Sequence, residues 1–186
     1  MQRSEKTVME LAAVQHGVFS LDQARAKGMS IDQAKRRVRC GRWRRVLPAV
    51  YAVEGSFDSI AQRRKAAALW FGPSCVFSHR TAAALWGLAR FEEDDGPVSI
   101  ASMRHLDAPS GVRIFRIEAL LARELGTVNG QRVTSIERTL LDLAATEPQS
   151  AVEAALDDAL RRKLTTVDKL TRFIERTGGT RGIRLW

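Results

Sequence analysis

Nine lysines and arginines fall between Arg25 and Arg45, against a single acid, Asp32. That window carries +8 of a formal net charge of +9, so the rest of the chain nets only +1. Cations gathered into so short a stretch are the electrostatic footprint of a phosphate-binding surface. The side chains suited to that chemistry are Ser30, Gln33, Lys35, Arg36, Arg37, Arg39, Arg42, Arg44 and Arg45. In a major groove Arg pairs bidentately with guanine and Gln with adenine. Contacts to phosphate set register without reading sequence.

Two short helices must carry these groups. Ser20 precedes Gln23 by three residues and Ser30 precedes Gln33 by three, each a capping-box pattern. Gly28 between them suits the left-handed turn that ends a helix. A first helix over Thr7–Gln15 and a short apolar pair, Val18-Phe19, come before them. The spacing is that of a helix-turn-helix. On the second helix, Ile31 to Cys40, the 100° period places Ile31, Ala34 and Val38 on the packed side. Gln33 and Arg36 then lie opposite as base-reading candidates, with Asp32 and Cys40 beside them. Arg37 and Arg39 fall on the flanks, toward phosphates, and Lys35 near the buried edge. After Gly41, Arg42–Leu47 alternates, Pro48-Ala49 turns, and Val50–Val53 reads as a second strand, forming a basic wing. Trp43 is expected to anchor that wing on the core, with Arg42, Arg44 and Arg45 hanging toward the backbone or minor groove. An isolated basic run is often only a solvated face; here capped helices, a basic helix face and a basic wing coincide.

Gly55-Ser56 and Asp58-Ser59 read as a joint, dividing residues 1–55, the winged domain, from residues 56–186, an α+β domain with a small mixed sheet. The expected fold class is α+β, mostly helical. Helices are expected over Ile60–Phe71 and Arg80–Leu88, with Arg63-Arg64-Lys65 as a solvated face. Pro97–Ala101 and Val112–Ile117 alternate as strands, and Asn129-Gly130 marks a hairpin. Thr134 with Glu137 reads as a further capping box, opening a helix rich in Leu140, Leu141 and Leu143. Helices from Ser150 to Lys163 and from Thr165 or Thr166 to Arg176 follow, and Gly178-Gly179 breaks the last.

Little in the composition points to catalysis. His16, His79 and His105 are dispersed, and the acidic run Glu92-Glu93-Asp94-Asp95 reads as solvated. Asp142 and the pair Asp157-Asp158 lack the Lys-bearing strand of a nuclease, and no Walker-type or dinucleotide loop is present. Catalytic residues, bound metal and cofactors are therefore not expected. Cys40 and Cys75 are too few for a disulfide framework. The longest apolar run, Ala66–Phe71, is far short of a bilayer span. No apolar signal region stands at the N-terminus, so a cytoplasmic location with reduced thiols is expected.

The order of segments resembles a known family. Val18-Phe19-Ser20-Leu21 through Gly28, Arg36-Arg37-Val38 with Gly41-Arg42-Trp43, and Val46–Tyr51 are similar to the N-terminal winged domain of AbiEi-type antitoxins of type IV toxin–antitoxin systems. The likeness continues in Ser78–Leu88 and in Thr134-Ser135 with Arg138–Ala144, covering nearly the whole chain. It implies a repressor that binds repeats in its own promoter as double-stranded DNA. It also implies that the C-terminal domain counters a nucleotidyltransferase-like toxin without a stable complex. Many actinobacterial relatives continue into a nuclease-like domain, whereas this chain ends at Trp186, so that chemistry is not expected of it. The other readings are a stand-alone regulator, a remnant of a nuclease-like DNA-processing protein, and a module whose basic segment meets RNA or an acidic partner. No oligomeric state follows from the sequence.

Overall fold

The computed structural model describes residues 3–92 and 95–177, so Glu93 and Asp94 of the acidic run and the Gly178-Gly179 break lie outside the described residues. The chain divides into two compact units, Met1–Ser74 with Pro109–Gly111, and Cys75–Ala108 with Val112–Trp186.

The first unit runs α1 (Arg3–Ala13), β1 (Val18–Ser20), α2 (Leu21–Ala26), α3 (Ile31–Arg39), β2 (Trp43–Leu47), β3 (Val50–Val53) and α4 (Ile60–Phe71). Both capping boxes form: Ser20 Oγ accepts from the Gln23 amide at 3.1 Å, and Ser30 Oγ from the Gln33 amide at 3.2 Å. Each Gln returns its side-chain oxygen to the cap amide, satisfying two otherwise orphaned donors per helix. The strands form an antiparallel sheet in the order β1-β3-β2, with a register shift between Arg45 and Leu47. Val8, Ala12, Phe19, Ala24, Met29, Ala34 and Trp43 make the core. Trp43 meets Phe19 edge-on at 4.6 Å, so the hairpin is seated on the helices by aromatic contact.

The boundary expected after residue 55 falls instead after Ser74, because α4 is stitched into the first unit. Gln62, buried on α4, donates to the His16 carbonyl at 2.7 Å and to Ser56 Oγ at 3.1 Å, and accepts from Arg44 at 2.8 Å. The Gly55-Ser56 and Asp58-Ser59 pairs are a turn and a cap rather than a linker. Ser56 Oγ donates to the Val53 carbonyl, and Ser59 caps α4 through the Gln62 amide.

The second unit holds a mixed five-stranded sheet in the order β6-β5-β4-β8-β7. Its strands are β4 (Val76–Phe77), β5 (Val98–Ser102), β6 (Val112–Arg116), β7 (Leu125–Val128) and β8 (Gln131–Thr134). Parallel pairing joins β4 to β8 and β5 to β6; the other neighbours are antiparallel. The helices are α5 (His79–Trp86), α6 (Ile136–Thr146), α7 (Gln149–Arg161) and α8 (Val167–Thr177). Asn129 and Gly130, both at positive φ, make the expected hairpin turn. The α6 cap is Ser135, whose Oγ accepts from the Arg138 amide, one residue beyond the expected Thr134. Thr134 belongs to the strand, and its hydroxyl meets that of Thr139 at 2.7 Å. On α7, Asp158 pairs with both Arg162 and Arg161. The α+β class is as expected.

Gly17 shows how tightly the first unit is closed. It has φ +85°, and a Cβ placed there would lie 2.5 Å from Ser56 Cβ; Gly28, at φ +84°, has open space to 3.9 Å. Gly28→Ala should cost about 1 kcal/mol, from the left-handed backbone alone. Gly17→Ala should exceed it by about 1 kcal/mol or more, since the neighbouring chain must move. Denaturant unfolding of both variants measures the difference; equal losses would mean Ser56 yields freely.

Candidate nucleic-acid interface

The order α1-β1-α2-α3-β2-β3 is a helix-turn-helix followed by a wing, with α3 in the position of the recognition helix. Its orientation differs from that read from apolar spacing. Ala34 is the buried residue of α3, 2% exposed, and Val38 is half-buried, but Ile31 is 45% exposed. Taking Ala34 as the inward direction turns the helix by about 30° from the frame centred on Ile31, Ala34 and Val38. Asp32, Arg36 and Arg39 then face away from the core, with Lys35 on one flank; all four are exposed. Lys35 therefore does not run along the buried edge as expected. Arg39 moves from flank to centre, and Gln33 moves from centre to flank.

Three of the expected contact residues are held by the protein itself. Arg37, only 21% exposed in its side chain, donates to Glu5 Oε2 at 2.6 Å. Arg42 reaches the same carboxylate at 3.4 Å while keeping 63% of its side chain in solvent. Arg44 is half-buried on Gln62. Arg37 and Arg44 are thus fastened inward, and Arg42 is divided between Glu5 and solvent. Ser30 and Gln33 are the capping pair of α3: the Gln33 side-chain oxygen lies 2.8 Å from the Ser30 amide, which removes it from base reading in this conformation. Lys35, Arg36, Arg39 and Arg45 are exposed and form no ion pair or side-chain hydrogen bond with the described residues.

The apolar spacing that opens the first helix at Thr7 leaves Glu5 outside it, whereas α1 begins at Arg3. The spacing of Glu5 with Val8 and Ala12 places it on the buried face of α1, where a carboxylate signals a cation partner. Nothing in the local pattern around Gln62 marks it as a hub, since Arg44 and His16 lie 18 and 46 residues away.

The second unit carries a buried polar cluster. His79, at φ 48°, stacks on Phe115 with ring centroids 3.4 Å apart. Its Nδ1 lies 3.1 Å from Ser78 Oγ and 3.9 Å from Asp142 Oδ2. Arg138 donates to Asp142 Oδ1 at 2.8 Å and approaches Glu124 at 3.5 Å. Asp142 Oδ2 is buried and accepts no hydrogen bond from the described residues. A Ser–His–Asp relay needs the nucleophile and the carboxylate on opposite ring nitrogens, and here both face Nδ1. Among the described residues, no group of three His, Cys, Asp or Glu is placed to hold a metal ion, and no helix is long and apolar enough to cross a membrane.

Burial, aided by Arg138 and Arg113, holds the His79 pKa down at about 3, so the imidazole is neutral and its approach to Asp142 is not an ion pair. Burial pushes Asp142 up to about 6 against the pull of Arg138, with Glu124 adding to the rise. The two groups act in opposite directions on stability. The unfolded His79 protonates below 6.5 while the folded ring does not, so its contribution is lost as pH falls from 6.5 toward about 3. The contribution of Asp142 is present below 3.8 and lost as pH rises through about 6. Between 3.8 and about 6 the slopes oppose each other. Asp142→Asn should leave the His79 slope alone. Relative to wild type, the variant should then lose up to about 1.4 kcal/mol per pH unit on acidification through that window. Urea unfolding of both proteins across it reads the difference, and parallel profiles would contradict the assignment.

No protein-family model matches the chain, and no curated protein matches it. Among solved structures, the crystal structure of the RV2827C protein from Mycobacterium tuberculosis is similar, with a TM-score of 0.64 at 18% sequence identity. The match covers 100% of this chain and 76% of that one. At this identity the likeness establishes a shared fold: the α+β arrangement described above recurs in a second protein.

Proposed function

We propose that this chain is a sequence-specific, double-stranded-DNA-binding transcriptional regulator, acting as antitoxin and autorepressor of a type IV toxin–antitoxin operon. One observation carries the DNA reading. The recognition-helix position of a winged helix-turn-helix exposes Lys35, Arg36 and Arg39 together, with Arg45 on the following strand, and none has a carboxylate partner among the described residues. The antitoxin part rests on the family resemblance of the sequence segments alone, as do the promoter repeats and the nucleotidyltransferase-like toxin. A cytoplasmic location accords with this role.

In this reading Arg36 and Arg39 reach base edges from the outward face of α3, and Asp32 between them accepts from a cytosine amine. Lys35 and Arg45 meet phosphates. No catalytic role is assigned to the Ser78–His79–Asp142 cluster, because its atoms converge on one ring nitrogen and are buried.

A mobility-shift titration with the duplex upstream of the gene, against random duplex of equal length, tests the reading. Binding should weaken steeply with salt, each neutralised phosphate adding about −0.9 to the slope of log K on log salt. Arg39→Ala should cost about 1–3 kcal/mol on the preferred site and little on random duplex. Arg45→Ala should weaken all duplexes alike and reduce the slope by about one. Equal affinity for every duplex, unchanged by Arg39→Ala, would remove sequence-specific recognition, and cleavage of the duplex with magnesium or manganese would favour the nuclease-like alternative.

A further inference from the structure

We propose that Glu5 is the positioning residue of the recognition helix: its buried carboxylate, shared by Arg37 of α3 and Arg42 before the wing, sets the rotation of α3 and thereby which side chains face the duplex. The inference rests on the DNA-binding reading above and adds a determinant of specificity that touches no DNA.

The argument begins with how little apolar surface α3 offers. Among its side chains only Ala34 is buried, and Val38 is half-buried. A methyl group carries little hydrophobic free energy, so this seam holds the helix against the core but defines its rotation weakly. A competing rotation exists in the sequence itself. Centring the seam on Ile31, Ala34 and Val38 would bury the larger Ile31 and is favoured by apolar area alone. That frame turns Arg39 to the flank and brings Gln33 outward.

Glu5 decides between the two. It lies on the inner face of α1 with Val8 and Ala12, and is 4% exposed. A carboxylate at that depth is costly unless a cation meets it. Arg37 does so at 2.6 Å, and Arg42 adds a second contact at 3.4 Å. Around the helix axis Arg37 stands on the side of Ala34 away from Ile31, so drawing Arg37 toward α1 rotates Ile31 into solvent and Arg39 to the outward face. The 45% exposure of Ile31 is the cost of that choice. Such a pair contributes little net stability against an apolar replacement, but it specifies one arrangement over its near neighbour. Arg42 extends the same constraint to the start of β2, so helix and wing share one anchor.

Selection of preferred sites from a randomised duplex pool, followed by titration on the selected site and on random duplex, tests the proposal with wild type, Glu5→Gln, Glu5→Asp and the double variant Glu5→Met/Arg37→Met. The double variant replaces the pair by apolar chains of similar volume and guards against a Glu5→Gln that fails to fold. Thermal unfolding runs in parallel. For Glu5→Gln, the ratio of affinities for selected and random duplex should fall by about tenfold or more, a loss of at least about 1.4 kcal/mol in discrimination. Affinity for random duplex should change less than about threefold, because the outward cations remain. Glu5→Asp, which keeps the charge, should recover part of the ratio. The double variant should melt near the wild-type temperature and select an altered site. Wild-type discrimination and an unchanged selected site in the double variant would overturn the role of Glu5 and leave DNA recognition standing. A wild-type protein with no preference among duplexes would overturn the functional reading itself.

Discussion

A carboxylate removed from water must be met by a cation or by its own proton, and that requirement shapes both units. In the first, Glu5 takes Arg37 and part of Arg42 out of the basic segment. In the second, Arg138 is shared by Asp142 and Glu124, and burial leaves Asp142 with a raised affinity for its proton. The two solutions differ in what they determine. Arg138 and Asp142 sit four residues apart on one helix, so their pair reports local depth. Glu5 and Arg37 join different helices 32 residues apart, and their pair determines how those helices face each other.

The same requirement separates net charge from usable charge. The basic window suggests nine equivalent cations, but Arg37 and Arg44 are turned inward, Arg42 is divided, and Arg25 is near Asp22 at 3.8 Å. In the proposed DNA reading those fastened inward still serve, since tying them down presents the free ones at a defined angle. The cations that remain stand mainly on a single helix face, where geometry rather than summed attraction governs what they touch.

Much of the fold was legible because its signals are local. Capping boxes at Ser20 and Ser30 close over three residues, and Asn129-Gly130 satisfies its turn with its own backbone. The helix α4 has the bounds its sequence predicts, and the order of helix, helix and hairpin is readable from spacing. What escaped was set by distant partners. The rotation of α3 depends on Glu5, the unit boundary on the contacts of Gln62, and the strand β4 on neighbours at both its sides, since two residues carry no periodicity. The candidate site divides in the same way. Residue types and segment were evident, whereas the sorting of Gln33, Arg37 and Arg44 from Lys35, Arg36, Arg39 and Arg45 needed partners beyond the window.

The outward face of α3 also contains an acid, and this bears on what kind of binder the first unit can be. Asp32 is exposed beside Arg36 and Arg39, on the face that would enter a groove. A wholly cationic face gains from any phosphate it approaches, so it binds all duplexes and discriminates poorly. A carboxylate among the cations repels phosphate in every shifted register and is satisfied only where a base donor meets it. Part of the attraction is thereby given up in exchange for penalties on wrong sequences, the repulsive half of specificity. With several arginines withdrawn into the protein and one acid placed among those that remain, the charge pattern suits a selective reader of duplex sequence better than a general coat for nucleic acid.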